Sequence, residues 1–293
     1  MKNWKSTIAT VSMMLLILCE MSAQSSVWKI EGKGTTMYIG GTIHVLQPDN
    51  YPLPAEFESA YAQANTVVLE ADLKELEDSA VNQIILAKSM YPAGDSLSNT
   101  LKKQTYEALK GELAKLGIPV EALEQFKPSM VILTLTMYKL KELGITAEGV
   151  DKHYYEKAVA DKKSLGFFET TEQQIEMIVN MGKGNEDLMV MHSLKDLENM
   201  ENDLMGMLSD WKRGTSEMMD MQIDIMITDF PGIYKSLLVD RNAAWIPKLE
   251  KYLEDENVEY ILVGTLHLHG PDGLLKQMKN KGYTVTQVVA KAE

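Results

Sequence analysis

The chain reads as short β-type runs near its two ends and a long stretch of helical periodicity between them. Residues 27–30 and 35–42 are β-rich, and Glu31-Gly32-Lys33-Gly34 separates them, so the pair predicts a hairpin. Pro48, Asp49, Asn50, Pro52 and Pro54 mark a loop. Residues 55–64 then follow a helical pattern, and residues 66–69 form a short apolar strand ending at Glu70. From about 73 to 143 the pattern is helical, broken at Pro92-Ala93-Gly94 and Gly117-Ile118-Pro119, and residues 131–138 are apolar enough for a buried helix. A loop over 144–151 leads into a helix over 151–160. Residues 163–168 read as a buried strand ending at Glu169, and Thr170 or Thr171 caps the next helix. Residues 185–234 form a long helical region interrupted near Gly214 and Pro231. A helix over 238–252, a strand over 259–264, a helix over 273–281 and a strand over 283–289 complete the order. Strands at both ends with helices between them predict an α/β fold, a central β-sheet with flanking helices and a large helical insertion. No Pro/Ser-rich linker or fixed-period repeat divides residues 24–293, which read as one domain.

The start of the chain follows a different pattern. Lys2 and Lys5 precede a mostly apolar run over 7–18, and small residues appear at Ser22 and Ala23. Residues 1–23 therefore read as a secretory signal peptide cleaved after Ala23, with a periplasmic or secreted product. The run is shorter than the roughly 20 residues that span a bilayer, so no permanent membrane anchor is expected. Cys19 raises the alternative of a lipid-modified cysteine, and the bulky Leu18 before it argues against that. Cys19 is also the only cysteine of the chain. Cleavage would leave no disulfide, no thiolate ligand and no cysteine nucleophile, so a metal would have to be held by His, Asp, Glu or water.

The formal net charge of -13 makes nucleic acid an unfavourable partner. Residues 185–234 are rich in methionine, including Met189, Met191, Met205, Met207, Met219 and Met221. At helical spacing these predict an irregular core, in preference to a soft-metal or partner-binding surface.

Two segments match each other. Gly41-Thr42-Ile43-His44 and Gly264-Thr265-Leu266-His267 each follow an apolar strand. Side chains at the carboxyl ends of strands in open α/β sheets face the usual ligand crevice, and glycine permits a sharp turn or a close approach there. Each histidine would suit metal ligation or acid–base work, although a single histidine at a strand end is usually just hydrogen-bonded. Glu70, at the end of a third apolar strand, is a candidate ligand, base or orienting group, with Asp72 as the less favoured choice. Arg241 is either a surface ion pair with Asp240 or Glu250 or a clamp for a developing anion. His153, His192 and His269 carry weaker signals; His269, two residues past His267, would share its side on an extended chain. The chain has no Gly-x-Ser-x-Gly, no phosphate-binding glycine loop and no His-Glu-x-x-His, which removes serine hydrolases of that type, P-loop enzymes and the common zinc proteases.

Taken in order, these segments resemble the TraB/GumN family, which includes the Tiki proteases. The likeness runs from about residue 28 to 289. It is carried by Gly41, Thr42 and His44 with Leu53-Pro54 downstream; by Glu70 within Val68-Leu69-Glu70-Ala71-Asp72-Leu73; and by Gly149-Val150-Asp151, Glu169-Thr170 and Asp240-Arg241-Asn242. It closes on Gly264, His267, Gly270, Asp272, Gly273 and Leu274, then Gly282-Tyr283-Thr284-Val285. One departure is His269, where the closing motif often has proline. The resemblance implies an erythromycin esterase/ChaN-like fold and, by analogy with Tiki members, a metal-dependent, peptidase-like hydrolase acting on a peptide or small molecule. Carried onto this chain, His44, Glu70 and His267 become candidate metal-binding or catalytic residues, with Mn, Co or Zn as the expected divalent metal, and Arg241 a candidate clamp. A non-catalytic binder of a small molecule, a haem-like ligand or a peptide is the alternative.

Overall fold

The computed structural model describes residues 24–145 and 148–289; the expected signal peptide, Cys19 and the Ala23 cleavage point lie outside them. Six strands form one mixed sheet: β1 (Gln24–Gly32), β2 (Thr35–Thr42), β3 (Thr66–Leu69), β4 (Ser164–Phe167), β5 (Glu259–Gly264) and β6 (Thr284–Val289), in the spatial order β4-β3-β5-β2-β1-β6. The β1–β2 pair is the expected antiparallel hairpin, and β6 adds to the other side of β1, also antiparallel. The four strands β4, β3, β5 and β2 run parallel to their neighbours. β3 and β5 have the bounds expected from their apolar runs.

Strand side chains alternate between the two faces of the sheet. Tyr38, Val67, Leu69, Tyr260 and Leu262 point to one side, where they pack with Phe57, Tyr154 and Trp211. Met37, Ile39, Val68, Ile261 and Val263 point to the other, against Trp245, Ile246 and Leu249. Both faces are buried, which explains why these strands read as continuous apolar runs instead of clean alternation. The helical insertion closes a separate core of its own, built from Leu109, Leu113, Val131, Leu135, Met189 and Val190. The α/β architecture with a helical insertion is therefore present.

The methionine-rich region divides into helices Glu186–Arg213 and Glu217–Asp229, broken at Gly214, which takes a left-handed conformation as the helix C-cap. The core reading of its methionines holds only in part. Met189 and Met219 are buried, whereas Met191, Met205 and Met221 are exposed, and Met207 lines the main cavity. The region packs on one face of the sheet and not only into a helical core: Trp211 lies in the cluster of Tyr38, Tyr260 and Leu262 and donates Nε1–H to the Gly41 carbonyl at 2.7 Å. Among the described residues, no helix is long and apolar enough to cross a membrane.

Candidate active site

β2 and β5 are parallel neighbours, and Thr42 lies opposite Gly264 in their register. This pairing brings the two Gly-Thr-x-His segments to one end of the sheet although they are far apart in sequence. Gly41 permits the approach, since a Cβ there would stand 2.7 Å from Thr265 Oγ1. β3, on the other side of β5, delivers Glu70 to the same end. β4 delivers Glu169, whose amide donates to the Glu70 carbonyl at 2.8 Å.

Arg241 ties these groups together. It sits near the start of helix Asp240–Tyr252, directly after a π-helical turn, Lys235–Val239. Its Nε donates to Glu169 Oε1 at 2.7 Å, and Nη2 donates to Glu169 Oε2 at 3.0 Å and Glu70 Oε2 at 2.5 Å. Its Nη1 donates to the Leu237 carbonyl at 3.3 Å and faces His267 Nε2 at 2.9 Å. Arginine has five N–H donors, so all of them are used inside the protein. The guanidinium also lies over the Trp245 ring, 4.7 Å from its centroid. The two surface pairings considered for Arg241 are not formed: Asp240 pairs with Lys235, and Glu250 with Lys281.

The two matching histidines occupy opposite environments. His267 is buried, its side chain 4% exposed, in a short 3-10 turn after β5. Asn242 Nδ2 donates to the carbonyls of His267 and Asp272, so its Oδ1 faces His267 Nδ1 at 2.6 Å and accepts a hydrogen bond from its N–H. Nε2 must then accept from Arg241, which has only donors to offer. The ring is neutral, and burial together with the Arg241 charge holds its pKa down at about 3 despite Glu70 nearby.

His44 is exposed, its side chain 63% accessible, and it holds Asp151 through Nδ1 at 3.1 Å. Asp151 is the main cause of a raised pKa at His44; partial desolvation of the ring among its neighbours opposes the shift and Glu70 supports it. Its Nε2 points towards Gly264. A Cβ built on Gly264 would stand 3.3 Å from Glu70 Oε1, 3.7 Å from His267 Cδ2 and 3.7 Å from His44 Nε2. The glycine thus leaves a methyl-sized space bounded by all three candidate side chains.

Glu70 is ionised. Burial alone would raise its pKa, but the charges of its basic neighbours and a hydrogen bond from the Gly264 amide at 2.7 Å pull it well below the usual carboxylate range. Of these, Arg241 is the permanent cation. Gln174 Nε2 adds a longer contact to Oε2, at 3.3 Å.

Gly149 fixes the His44–Asp151 pair. The Val150 amide donates to the Ile43 carbonyl at 3.1 Å, and a Cβ on Gly149 would lie 2.3 Å from the His44 carbonyl carbon and oxygen. Both atoms are backbone, so the clash cannot be relieved by a rotamer change. We expect Gly149→Ala to lower the thermal midpoint and to break the His44–Asp151 contact, seen as loss of the raised His44 pKa in an NMR titration; an unchanged titration would contradict this.

The arrangement does not fit a resident metal at His44, Glu70 and His267. The His267 Nε2 lone pair and both Glu70 oxygens are already in use, and the Arg241 cation stands in contact with two of the three. Among the described residues, no group of three or more His, Cys, Asp or Glu side chains has an arrangement that could hold a metal ion.

The weaker sequence signals fall elsewhere. Asp72 caps a short helix through the Lys74 amide and accepts from Tyr155 Oη. His153 packs against Tyr51 and Tyr154, His192 pairs with Asp196 and Asp229, and His269 turns its edge to Trp28. Glu169, Asp151 and Asn242 emerge as partners to which residue patterns alone gave no role. Each lies in a segment that carries the family likeness, and that was their only sequence signal.

A family model described as the TraB/PrgY/gumN family matches residues 26–287. The chain belongs to the TraB/PrgY/gumN family. It is also similar to the uncharacterized protein YbaP of Escherichia coli (strain K12), with 26% identity over 244 residues, covering 81% of this chain and 85% of that protein. YbaP of Shigella flexneri matches with the same identity and coverage. No solved structure gives a significant match. Within this family member, His44, Glu70 and His267 surround one point beside Gly264, and Arg241 braces Glu70 and His267 from behind.

Proposed function

We propose that this TraB/PrgY/gumN protein is an exported hydrolase in which His44 carries the proton and Glu70 helps to hold the attacking water. The observation that supports it most is the convergence of His44 Nε2 and Glu70 Oε1 on the space beside Gly264, with His44 Nδ1 oriented by Asp151. In its neutral form His44 would take a proton from that water through Nε2, while Asp151 stabilises the imidazolium that forms. His267, held neutral by Asn242 and Arg241, shapes the site and adds no charge. Arg241 acts as a positioning residue, because a substrate anion finds none of its donors free. The erythromycin esterase/ChaN-like architecture and the peptidase-like chemistry belong to this reading, as does export after cleavage near Ala23.

The metal-dependent version differs in outcome. Dialysis against chelator should leave ester or amide turnover unchanged. Loss of turnover with recovery on adding Mn, Co or Zn would overturn the metal-free reading.

The pH profile gives a second test. Asp151 raises the His44 pKa from its ordinary 6.5 to about 9, so the base form, and turnover with it, should rise as pH climbs towards 9. The stability from this pair has the opposite course: it is complete below 6.5 and is lost as pH rises through 9. In Asp151→Asn the carboxylate charge is gone, and the rising limb of the rate profile should move to lower pH. An unmoved limb would assign that ionisation to another group.

Gly264→Ala offers a third measurement. Its backbone is extended (φ -49, ψ 132) and the nearest atoms belong to side chains, so the variant should fold. The added methyl fills the space between His44 and Glu70, and turnover should fall at least about tenfold, or roughly 1.4 kcal/mol of barrier. Full activity with a normal fold would place the water elsewhere.

A further inference from the structure

The cavity above the site is about 590 Å³, within the range of small-molecule sites. Its polar groups are confined to the floor. Above them the wall is made from four separate parts of the chain: Leu73 and Leu76 after β3, Met177 and Ile178 from the helix Thr171–Val179, Met207 from the helix Glu186–Arg213 and Leu237 from the π-helical turn Lys235–Val239. These six side chains are only partly buried, so a cavity-facing surface of this size remains apolar and open. Unbranched methionines at two of the positions can adapt to a flexible ligand.

The floor is unsuited to a charged head. Glu70, Asp151 and, behind them, Glu169 stand against Arg241 and His44. Arg241 has no free donor, and once His44 is neutral, above about pH 9, its one N–H, on Nδ1, is held by Asp151. A ligand carboxylate would meet acidic groups whose cations are already paired. A ligand ammonium would find Glu70 already accepting from Arg241, Gln174 and the Gly264 amide. An uncharged carbonyl loses least on entering.

We propose that the cavity takes an uncharged ester or amide with a long apolar acyl chain. The chain lies on the leucine- and methionine-lined wall, and the carbonyl faces the space beside Gly264. This rests on the hydrolase reading for the fate of the carbonyl, but the binding itself does not.

The test is calorimetric titration of the mature protein at about pH 10, where His44 is neutral and has no free N–H for an anion, with decanamide, decanoate and acetamide, each below its aggregation concentration. Decanamide should bind, decanoate at least about tenfold more weakly, and acetamide not measurably. Met207→Gln and Met177→Gln, each checked for an unchanged thermal midpoint without ligand, should each weaken decanamide severalfold by making the wall polar. Equal or tighter binding of decanoate, or no binding of decanamide by folded wild-type protein, overturns the proposal. Should either variant misfold, the three wild-type titrations still decide. Formation of decanoate or of alcohol from a decanoyl ester is followed separately: binding without turnover sinks the hydrolase reading and leaves this one standing.

Discussion

Arg241→Met should destabilise the protein by about 3–5 kcal/mol, because it removes the cation that two inward-facing carboxylates, Glu70 and Glu169, share. The Arg241, Glu70 and Glu169 side chains are 10%, 14% and 10% exposed, so water cannot replace the lost partner without opening the site. Methionine retains the length of the stem, which limits the loss of volume, although the guanidinium's contact with the Trp245 ring goes with the charge. The measurement is the urea midpoint at neutral pH with an unchanged slope. Its pH dependence checks the cause. Glu70 has a depressed pKa in the folded wild type, so its pairing contributes stability above the ordinary carboxylate value of 4.5 and loses it as pH falls. The gap between wild type and variant should therefore narrow in acid. A loss below about 1 kcal/mol would mean that the carboxylates are solvated, as at an exposed ion pair, and would remove the reason for calling Arg241 a brace.

His44→Ala should lower kcat by about 100- to 10,000-fold, the usual contribution of a positioned acid or base, with little change in ligand binding, and with little change in unfolding midpoint above pH 9, where the pair with Asp151 no longer contributes stability. The contrast with His267 is the informative part. Because His267 is buried between Asn242, Arg241 and Trp245, His267→Ala should lower stability and activity together. If His44→Ala retained full turnover, or if the two variants behaved alike, the division of labour drawn from their environments would be wrong. The same pair separates the hydrolase from a binding protein, since a binder would retain its function without His44 if the ligand rests on the apolar wall.

Much of the fold can be read from local pattern. β3 and β5 are short apolar runs between polar or glycine-containing boundaries, and both faces of their part of the sheet are buried, so the signal is unusually sharp. Thr170 caps its helix as expected, with Gln173 completing the reciprocal pair of hydrogen bonds. The exposed methionines of residues 185–234 were less legible, because helical spacing shows only that one face is apolar and does not say what that face meets. The site follows the same division. Gly41, His44, Glu70, Gly264 and His267 stand out as strand-end residues. Glu169 also ends a strand, but its pairing with Arg241 does not stand out, because the two are 72 residues apart in sequence and nothing local connects them.

Sequence by itself determined the strand ends, the α/β class, the pair of Gly-Thr-x-His segments and the family. It presented His44 and His267 as equivalents, since each follows a glycine and a threonine at the end of an apolar strand. Only the tertiary structure separated them. The Gly149-Val150-Asp151 segment places a carboxylate against the exposed ring, while Asn242 and Arg241 enclose the buried one. A histidine's charge and free nitrogen depend on the groups facing its two ring atoms, and here those groups come from segments brought together by folding.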